Sequence, residues 1–216
     1  MAPISQSTPM RFLITGFESF YKVPVNPTQK LMEEVSSWIP REFDKENIQI
    51  QTHVLPVSFE KSIHKLDHLI RIYQPDIIIE TGAHGGNNEI LLERRAQNLN
   101  HSKIADNDGD IRTNHTILAE KTFYLYGNLC WKEIRSRLDS VDVRHADSYD
   151  AGSFVCNHLY YWTLATHPDK CVGFLHFPVD LYSSEGTEEL HQMACICMQN
   201  LLQVLLDWQV KKHLKP

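Results

Sequence analysis

Two residues of this chain have the types and settings that nucleophilic chemistry needs. Cys156 stands in DAGSFVCNHLYYW (Asp150–Trp162), where a turn at Ala151-Gly152 leads through a short apolar stretch into a helix carrying Leu159, Tyr160 and Leu164. His176 stands in KCVGFLHFP (Lys170–Pro178), which reads as a buried strand from Cys171 to Leu175 with the histidine where the strand runs out before Pro178. A cysteine in the first turn of a helix sits at the positive end of the macrodipole, which favours the nucleophilic thiolate. A histidine held beside it takes the thiol proton as a base and returns it as an acid. Together they suggest a cysteine hydrolase. The plain alternative is that Cys156 is one more small buried hydrophobe. With five cysteines and twelve histidines in the chain, chance pairings are common.

Bulk properties narrow the choice. At 216 residues the chain is long enough for one substantial core. The reading is a loose tail over residues 1–10 and a single catalytic α/β domain over residues 11–216. A net charge of −6 and a pI near 6.0 give no reason to expect nucleic acid or an anionic membrane as partner. No apolar run is long enough to span a bilayer. The start, MAPISQSTPM, lacks the charged and apolar regions of a secretory signal. The cysteines are odd in number and not in framework spacing, which suits a reducing cytosol, so a cytoplasmic protein is expected. No metal or cofactor is expected either. His64 and His68 have metal-ligand spacing on a helix, but no Glu follows His64 as in a zinc HExxH motif, and a surface face is the reading.

The elements that must position Cys156 and His176 follow from periodicity and punctuation. Arg11–Gly16 is a short apolar strand ending at glycine, and a loop leads from it into a helix beginning at Asn26-Pro27 and running to Trp38. Ile48–Val57 alternates like a strand; Ser58 then caps a helix with Phe59, Ile63, Leu66, Ile70 and Tyr73 on one face. Asp76–Gly82 is a continuous apolar strand of the doubly buried kind, and Ile90–Asn98 reads as another strand. The stretch HSKIADNDGDIRTNHT is a polar excursion, followed by a helix over Leu129–Leu138, a strand over Val141–His145 and a long last helix over Glu185–Val210. Strands alternating with helices predict a single three-layer α/β/α domain with a mostly parallel central sheet. Sites in such sheets lie at strand C-terminal ends, where Gly16, Gly82 and His176 all fall.

Further stretches carry a resemblance. Gly16, Phe17, Glu18, Phe20, Asn26 and Pro27 form one motif; Gly82, Gly85, Gly86, Glu93, Arg94, Ala96 and Asn98 form a second. Ala151-Gly152 ahead of Cys156, and Gly173-Phe174 ahead of His176-Phe177-Pro178, complete the set, with Leu55-Pro56-Val57 and Pro75-Asp76 matching too. In this order and spacing they resemble the pyroglutamyl peptidase I, or pyrrolidone-carboxylate peptidase, family over residues 11 to 200. The resemblance implies a cysteine omega-peptidase that hydrolyses the amide after an N-terminal pyroglutamyl residue, working without cofactor. It implies a catalytic triad of Glu93, Cys156 and His176; such a triad needs an oxyanion hole, for which the Cys156 N–H is one candidate and Arg94 or its backbone another. It further implies a ring pocket of Phe17, Phe20, Phe154 and Val155 with Asn26, and a homodimer or homotetramer. The plain alternative makes Phe17 and Phe20 core residues and Asn26 simply the cap of its helix.

The chain also departs from the family pattern. Tyr21-Lys22 and Val23 stand where the first loop usually has Gly-Gly and a third Phe, restricting the backbone and adding bulk near the pocket. Ala83, His84 and Asn87 replace usual residues of the glycine-rich loop, and Arg95 replaces an apolar one, as at a sheet edge or a partner contact. Glu80, at a strand end where an apolar residue is usual, is the rival third member of the triad. Cys195 and Cys197 point different ways on the last helix and read as structural. The altered loops keep two rivals open: a thiol amidase for another small cyclic or N-capped amide, and a binding protein that retains the fold. A nucleoside phosphorylase-like enzyme shares the architecture, but no phosphate site supports it.

Overall fold

A computed structural model describes residues 9–21, 23, 25–42, 47–182 and 188–213. The elements in chain order are β1 (Met10–Phe17), α1 (Pro27–Glu42), β2 (Ile48–Leu55), α2 (Phe59–Tyr73) and β3 (Ile77–His84). Then come β4 (Ile90–Glu93), β5 (Arg95–Gln97), β6 (Tyr124–Tyr126), α3 (Trp131–Ser140), β7 (His145–Ser148) and α4 (Val155–Thr166). The chain closes with β8 (Cys171–Pro178), a 3-10 turn (Val179–Tyr182) and α5 (Glu188–His213). Of the expected N-terminal tail, residues 1–8 lie outside the described residues, and Met10 already belongs to β1. The expected start of the last helix at Glu185 also lies outside them.

Period-two burial decides the layers. Ile77 and Ile79 of β3 pack against α1, α3 and α5, while Ile78 between them faces α2 and α4. The same alternation runs along β8: Leu175 and Phe177 join the first layer, Val172 and Phe174 the second. Each such side chain contributes roughly 1.5–3 kcal/mol by leaving water. Helix α2 starts as its sequence predicts, with Ser58 accepting from the Lys61 N–H at its N-cap.

The main sheet runs β2-β1-β3-β8-β4-β7, so the three-layer α/β/α architecture stands. All neighbours pair in parallel except β4 with β8. The exception has a simple cause. Only residues 85–89 join β3 to β4, too few for the crossover a parallel return requires.

Two strands differ from the sequence reading. Ile90–Asn98 is not one strand but two, because the chain changes partners at Arg94: β4 lies in the main sheet and β5 pairs with β6 in a separate hairpin. Buried Asn157 of α4 holds β5 there, its amide bonding the Gln97 N–H and the Gln97 and Leu99 carbonyls. The expected strand at Val141–His145 sits further on, at His145–Ser148. Val141 and Val143 still donate to carbonyls of the last turn of α3, and Asp142 turns left-handed at φ 56°.

Candidate active site

Cys156 is the second residue of α4, whose N-cap, Phe154, supplies no side-chain hydrogen bond to the helix start. The first N–H groups of a helix have no partner within it, so this end presents donors and positive potential to whatever lies before it. His176 and Gly82 are register partners in β8 and β3, on the face toward α4. A methyl group at Gly82 would come 2.8 Å from Cys156 Sγ and 3.1 Å from His176 Cδ2. Glycine is what lets thiol and imidazole stand together above the sheet. The strand does not run out at His176 as expected but continues to Pro178, so the ring is fixed by pairing on both sides.

The acid comes from the antiparallel strand. Glu93 is fully buried at the end of β4, and its Oε1 lies 2.7 Å from His176 Nδ1. An ionised carboxylate only accepts, so Nδ1 carries a proton, which leaves Nε2 for Cys156. Burial alone would pull the His176 imidazole down. Its hydrogen bonds to Cys156 and Glu93, together with their charges, outweigh burial and push it up to about 10. Among the described residues no donor meets Glu93 Oε2, so the carboxylate is directed at the imidazole alone.

A cavity of about 290 Å³ opens beside the thiol. All five residues expected to bind the ring line it: Phe17, Phe20, Asn26, Phe154 and Val155. Phe20 and Phe154 stand 6.3 Å apart between centroids, tilted at 39°, and Phe59 backs Phe154 edge-on at 5.4 Å. Asn26 is a brace as well as a lining residue. Its Oδ1 caps α1 by accepting from Thr28 N and Oγ1, while its Nδ2 donates to Glu18 O. A larger open groove of about 800 Å³ beside Phe59, Arg112 and Trp162 does not contain Cys156.

Several expectations are corrected. Arg94 does not face the pocket: its N–H donates to Ser148 O, and its guanidinium pairs with Asp147 at 3.2 Å and lies over Trp131. The carboxylate bonded to His176 is Glu93, not Glu80. Glu80 is buried under α4, accepts from Thr163 Oγ1 at 2.6 Å, and burial pushes its carboxyl up to about 8. Tyr21 adds no bulk to the pocket; it is 66% exposed and takes the left-handed conformation (φ 47°) that a glycine there would adopt freely. Lys22 lies outside the described residues. Arg95 stacks on Tyr124 at 3.9 Å on the small hairpin.

Of the altered loop residues, Ala83 and His84 line the pocket, whereas Asn87 bonds Glu89. His84 Nε2 donates to Glu89 O at 2.9 Å, and burial, with His176 also opposing its charge, lowers its imidazole. Sequence reasoning missed the steric role of Gly82 and the bracing role of Asn157. The second had a signal, an amide placed immediately after the thiol in a largely apolar helix.

An α/β sheet that brings a thiol, an imidazole and a buried acid into one line beside a small apolar cavity is the framework of a cysteine hydrolase. Comparison with known proteins makes the class particular. The chain matches the family described as pyroglutamyl peptidase over residues 10–205. The pyrrolidone-carboxylate peptidase of Brachyspira hyodysenteriae is 36% identical over 173 residues, covering 78% of this chain and 83% of that protein. That of Thermosipho africanus is 30% identical over 201 residues, covering 91% and 94%. The crystal structure of pyroglutamyl peptidase I from Bacillus amyloliquefaciens superposes with a TM-score of 0.79 at 29% identity, covering 92% of this chain and 95% of that one. A mutant pyrrolidone carboxyl peptidase from Pyrococcus furiosus gives 0.80 at 25% identity, covering 93% and 100%. The chain belongs to the pyroglutamyl peptidase family.

Proposed function

We propose that Cys156, His176 and Glu93 carry the family's reaction in this chain, hydrolysis of the amide between an N-terminal pyroglutamyl residue and the next amino acid. Cysteine-peptidase activity follows from family membership; the hydrogen-bonded line Glu93–His176–Cys156 beside the cavity is the observation that carries the residue roles.

The substrate ring is small and uncharged, and a cavity of about 290 Å³ walled by Phe17, Phe20 and Phe154 suits it. Cys156 Sγ attacks the amide carbonyl, and the thiol proton resides on His176. The oxygen that gains negative charge faces the unpaired N–H groups of the first turn of α4, Cys156 N–H among them. His176 then protonates the departing amine, the C–N bond breaks, and pyroglutamyl remains as a thioester on Cys156. Water, deprotonated by the same imidazole, cleaves the thioester and frees pyroglutamate. Glu93 fixes the ring and balances the imidazolium, the part an acid plays in other triads.

A second reading rests on His84, which lines the cavity: a thiol amidase for a different small cyclic amide. The partners on the first reading are peptides that begin with pyroglutamate. A reducing cytosol is the compartment that fits five cysteines standing as free thiols. Among the described residues no helix is long and apolar enough to cross a membrane.

The test is release of a fluorescent amine from pyroglutamyl-amide and proline-amide substrates. Turnover of the first only, reduced at least roughly 1000-fold in Cys156→Ser, is expected. Turnover that survives Cys156→Ser would reject the assigned nucleophile. Folded, reduced protein that turns over only another cyclic amide would establish the second reading.

A further inference from the structure

On the opposite layer from the cavity, a second thiol and a second imidazole meet a carboxylate. His191 and Cys195 are four apart on α5 and therefore share one face of the helix. Glu34 of α1 reaches that face, and Tyr182 of the 3-10 turn closes it. Glu34 Oε2 lies 2.7 Å from His191 Nε2 and 3.4 Å from Cys195 Sγ, and Sγ lies 3.7 Å from the same Nε2. The three donor atoms come from two helices, yet all lie within 4.8 Å of one another.

The geometry points to a binding site for a divalent transition cation of the zinc class, held by Glu34 Oε2, His191 Nε2 and Cys195 Sγ.

Three observations support it. The first is distance. Tetrahedral zinc holds sulfur at about 2.3 Å and nitrogen or oxygen at about 2.0–2.2 Å, which sets its ligands about 3.3–3.6 Å apart. The S···O and S···N separations of 3.4 and 3.7 Å already stand near that range, and only the O···N pair at 2.7 Å must open. The second is valence. Without a cation, Glu34 Oε2 receives three donors at once, Tyr182 O–H, His191 Nε2–H and the Cys195 thiol. A carboxylate oxygen has about two lone-pair directions, so three donors on one oxygen crowd it. A cation relieves the crowding by replacing two of the protons. The third is the surround. Glu188 Oε1 stands 3.7 Å from His191 Nδ1, the side where a carboxylate orients a ligating histidine. His191 and Glu34 keep 31% and 34% of their side chains exposed, which leaves an entry path and room for water as fourth ligand.

The proton balance is direct. Binding releases the Cys195 thiol proton to solvent, and the neutral His191 imidazole exchanges its one proton from Nε2 to Nδ1, toward Glu188, which frees the Nε2 lone pair to ligate. Carboxylate and thiolate together neutralise the dication. A mixed sulfur, nitrogen and oxygen set favours zinc-like ions over magnesium or calcium.

Cobalt(II) is the probe, titrated into the full chain carrying Cys156→Ser so that the first thiol is silent. Expected are one equivalent bound, tetrahedral d–d bands, and a thiolate-to-cobalt charge-transfer band. Cys195→Ser in that background should remove the charge-transfer band and weaken binding roughly 100-fold or more, beyond what loss of an outer-shell partner costs. His191→Gln, an independent change on the same helix, should weaken binding comparably. Absence of the charge-transfer band in the Cys156→Ser chain, its survival in Cys195→Ser, or unchanged affinity in His191→Gln overturns the site.

Discussion

Glu93–His176–Cys156 and Glu34–His191–Cys195 are the same three residue types, and the ring atoms they meet set them apart. In the first group the carboxylate bonds Nδ1 and the thiol faces the other side of the ring. Acid, imidazole and thiol form a line along which charge at one end is balanced at the other. In the second group carboxylate and thiol both approach Nε2, so their donor atoms converge on a point. A line moves a proton; a point of convergence holds a cation. Burial reinforces the contrast. Glu93 is sealed from solvent, where electrostatic interactions are strong, while Glu34 and His191 are partly exposed to water. The presence of Cys, His and Glu together therefore decides little until the nitrogen each one meets is known.

The sharpest way to break this contrast is to neutralise each acid in turn. Glu93→Gln should lower kcat/KM by about 10,000-fold, as loss of the orienting acid does in other triads. It should also move the alkaline limb of the pH profile. The His176 imidazole stands at about 10 partly because Glu93 bonds it, so removing that charge lets the proton leave at lower pH. Glu34→Gln should leave kcat/KM within about 2-fold and weaken cobalt binding instead. Steady-state kinetics over pH, read beside cobalt titration, give both. Equal effects of the two substitutions on turnover would dissolve the contrast.

Room is the next difference. The line of the first group depends on Gly82, where an added Cβ would lie 2.8 Å from Cys156 Sγ and 2.9 Å from Phe174 Cζ. Gly82→Ala should displace the thiol from the carbonyl and lower kcat/KM about 100-fold, since small misplacements at the reacting atoms are that costly. Its cobalt affinity should match the wild type, because the second group lies on the other layer. Single-turnover kinetics with the same fluorogenic amide would separate this from weaker substrate binding. A rate within a few-fold of wild type would show that thiol and imidazole do not need the space.

Much of this was legible in the residues, for reasons that differ from place to place. Cys156, His176, Glu93 and the pocket aromatics sit in motifs whose spacing is set by local chain geometry, at a helix start, a strand and a loop. The strands flanking them alternate or are continuously apolar, which fixes their faces. What escaped depended on contacts distant in sequence. The break at Arg94 follows from Asn157, whose amide bonds the β5 backbone across 60 positions. Arg94 itself looked like a donor for the site because it follows Glu93, but Asp147 and Trp131 draw it away. Tyr21 read as an obstruction, yet it points outward and strains its own backbone, at about 1–2 kcal/mol for a side chain in the left-handed region. The second Cys-His-Glu group was invisible because Glu34 lies 157 positions from His191.

Glu80 supplies the control that neither group can give, a buried carboxylate with no imidazole. Its one bond is from Thr163 Oγ1, and among the described residues Oε2 has no partner. Burial raises its pKa from 4.5 to about 8, so the folded state keeps a proton that the unfolded chain gives up. Between those values the folded state binds more protons, and stability must fall as pH rises, by an amount on the order of a few kcal/mol across the window. Below 4.5 both states are protonated and the contribution vanishes. His176 adds a second decline in a window that overlaps the first and extends to higher pH. Its folded pKa of about 10 lies above the ordinary 6.5, so the stability it lends is complete below 6.5 and is lost as pH rises through 10. Glu80→Gln should therefore flatten the denaturation midpoint between pH 4.5 and 6.5, and leave only the His176 decline from pH 6.5 toward 10. Turnover should stay within about 3-fold, because the substitution keeps the Thr163 bond and touches no reacting atom. A midpoint curve unchanged by Glu80→Gln would mean that the carboxyl ionises freely under α4. A large loss of turnover would put Glu80 back beside His176, in the place that the geometry gives to Glu93.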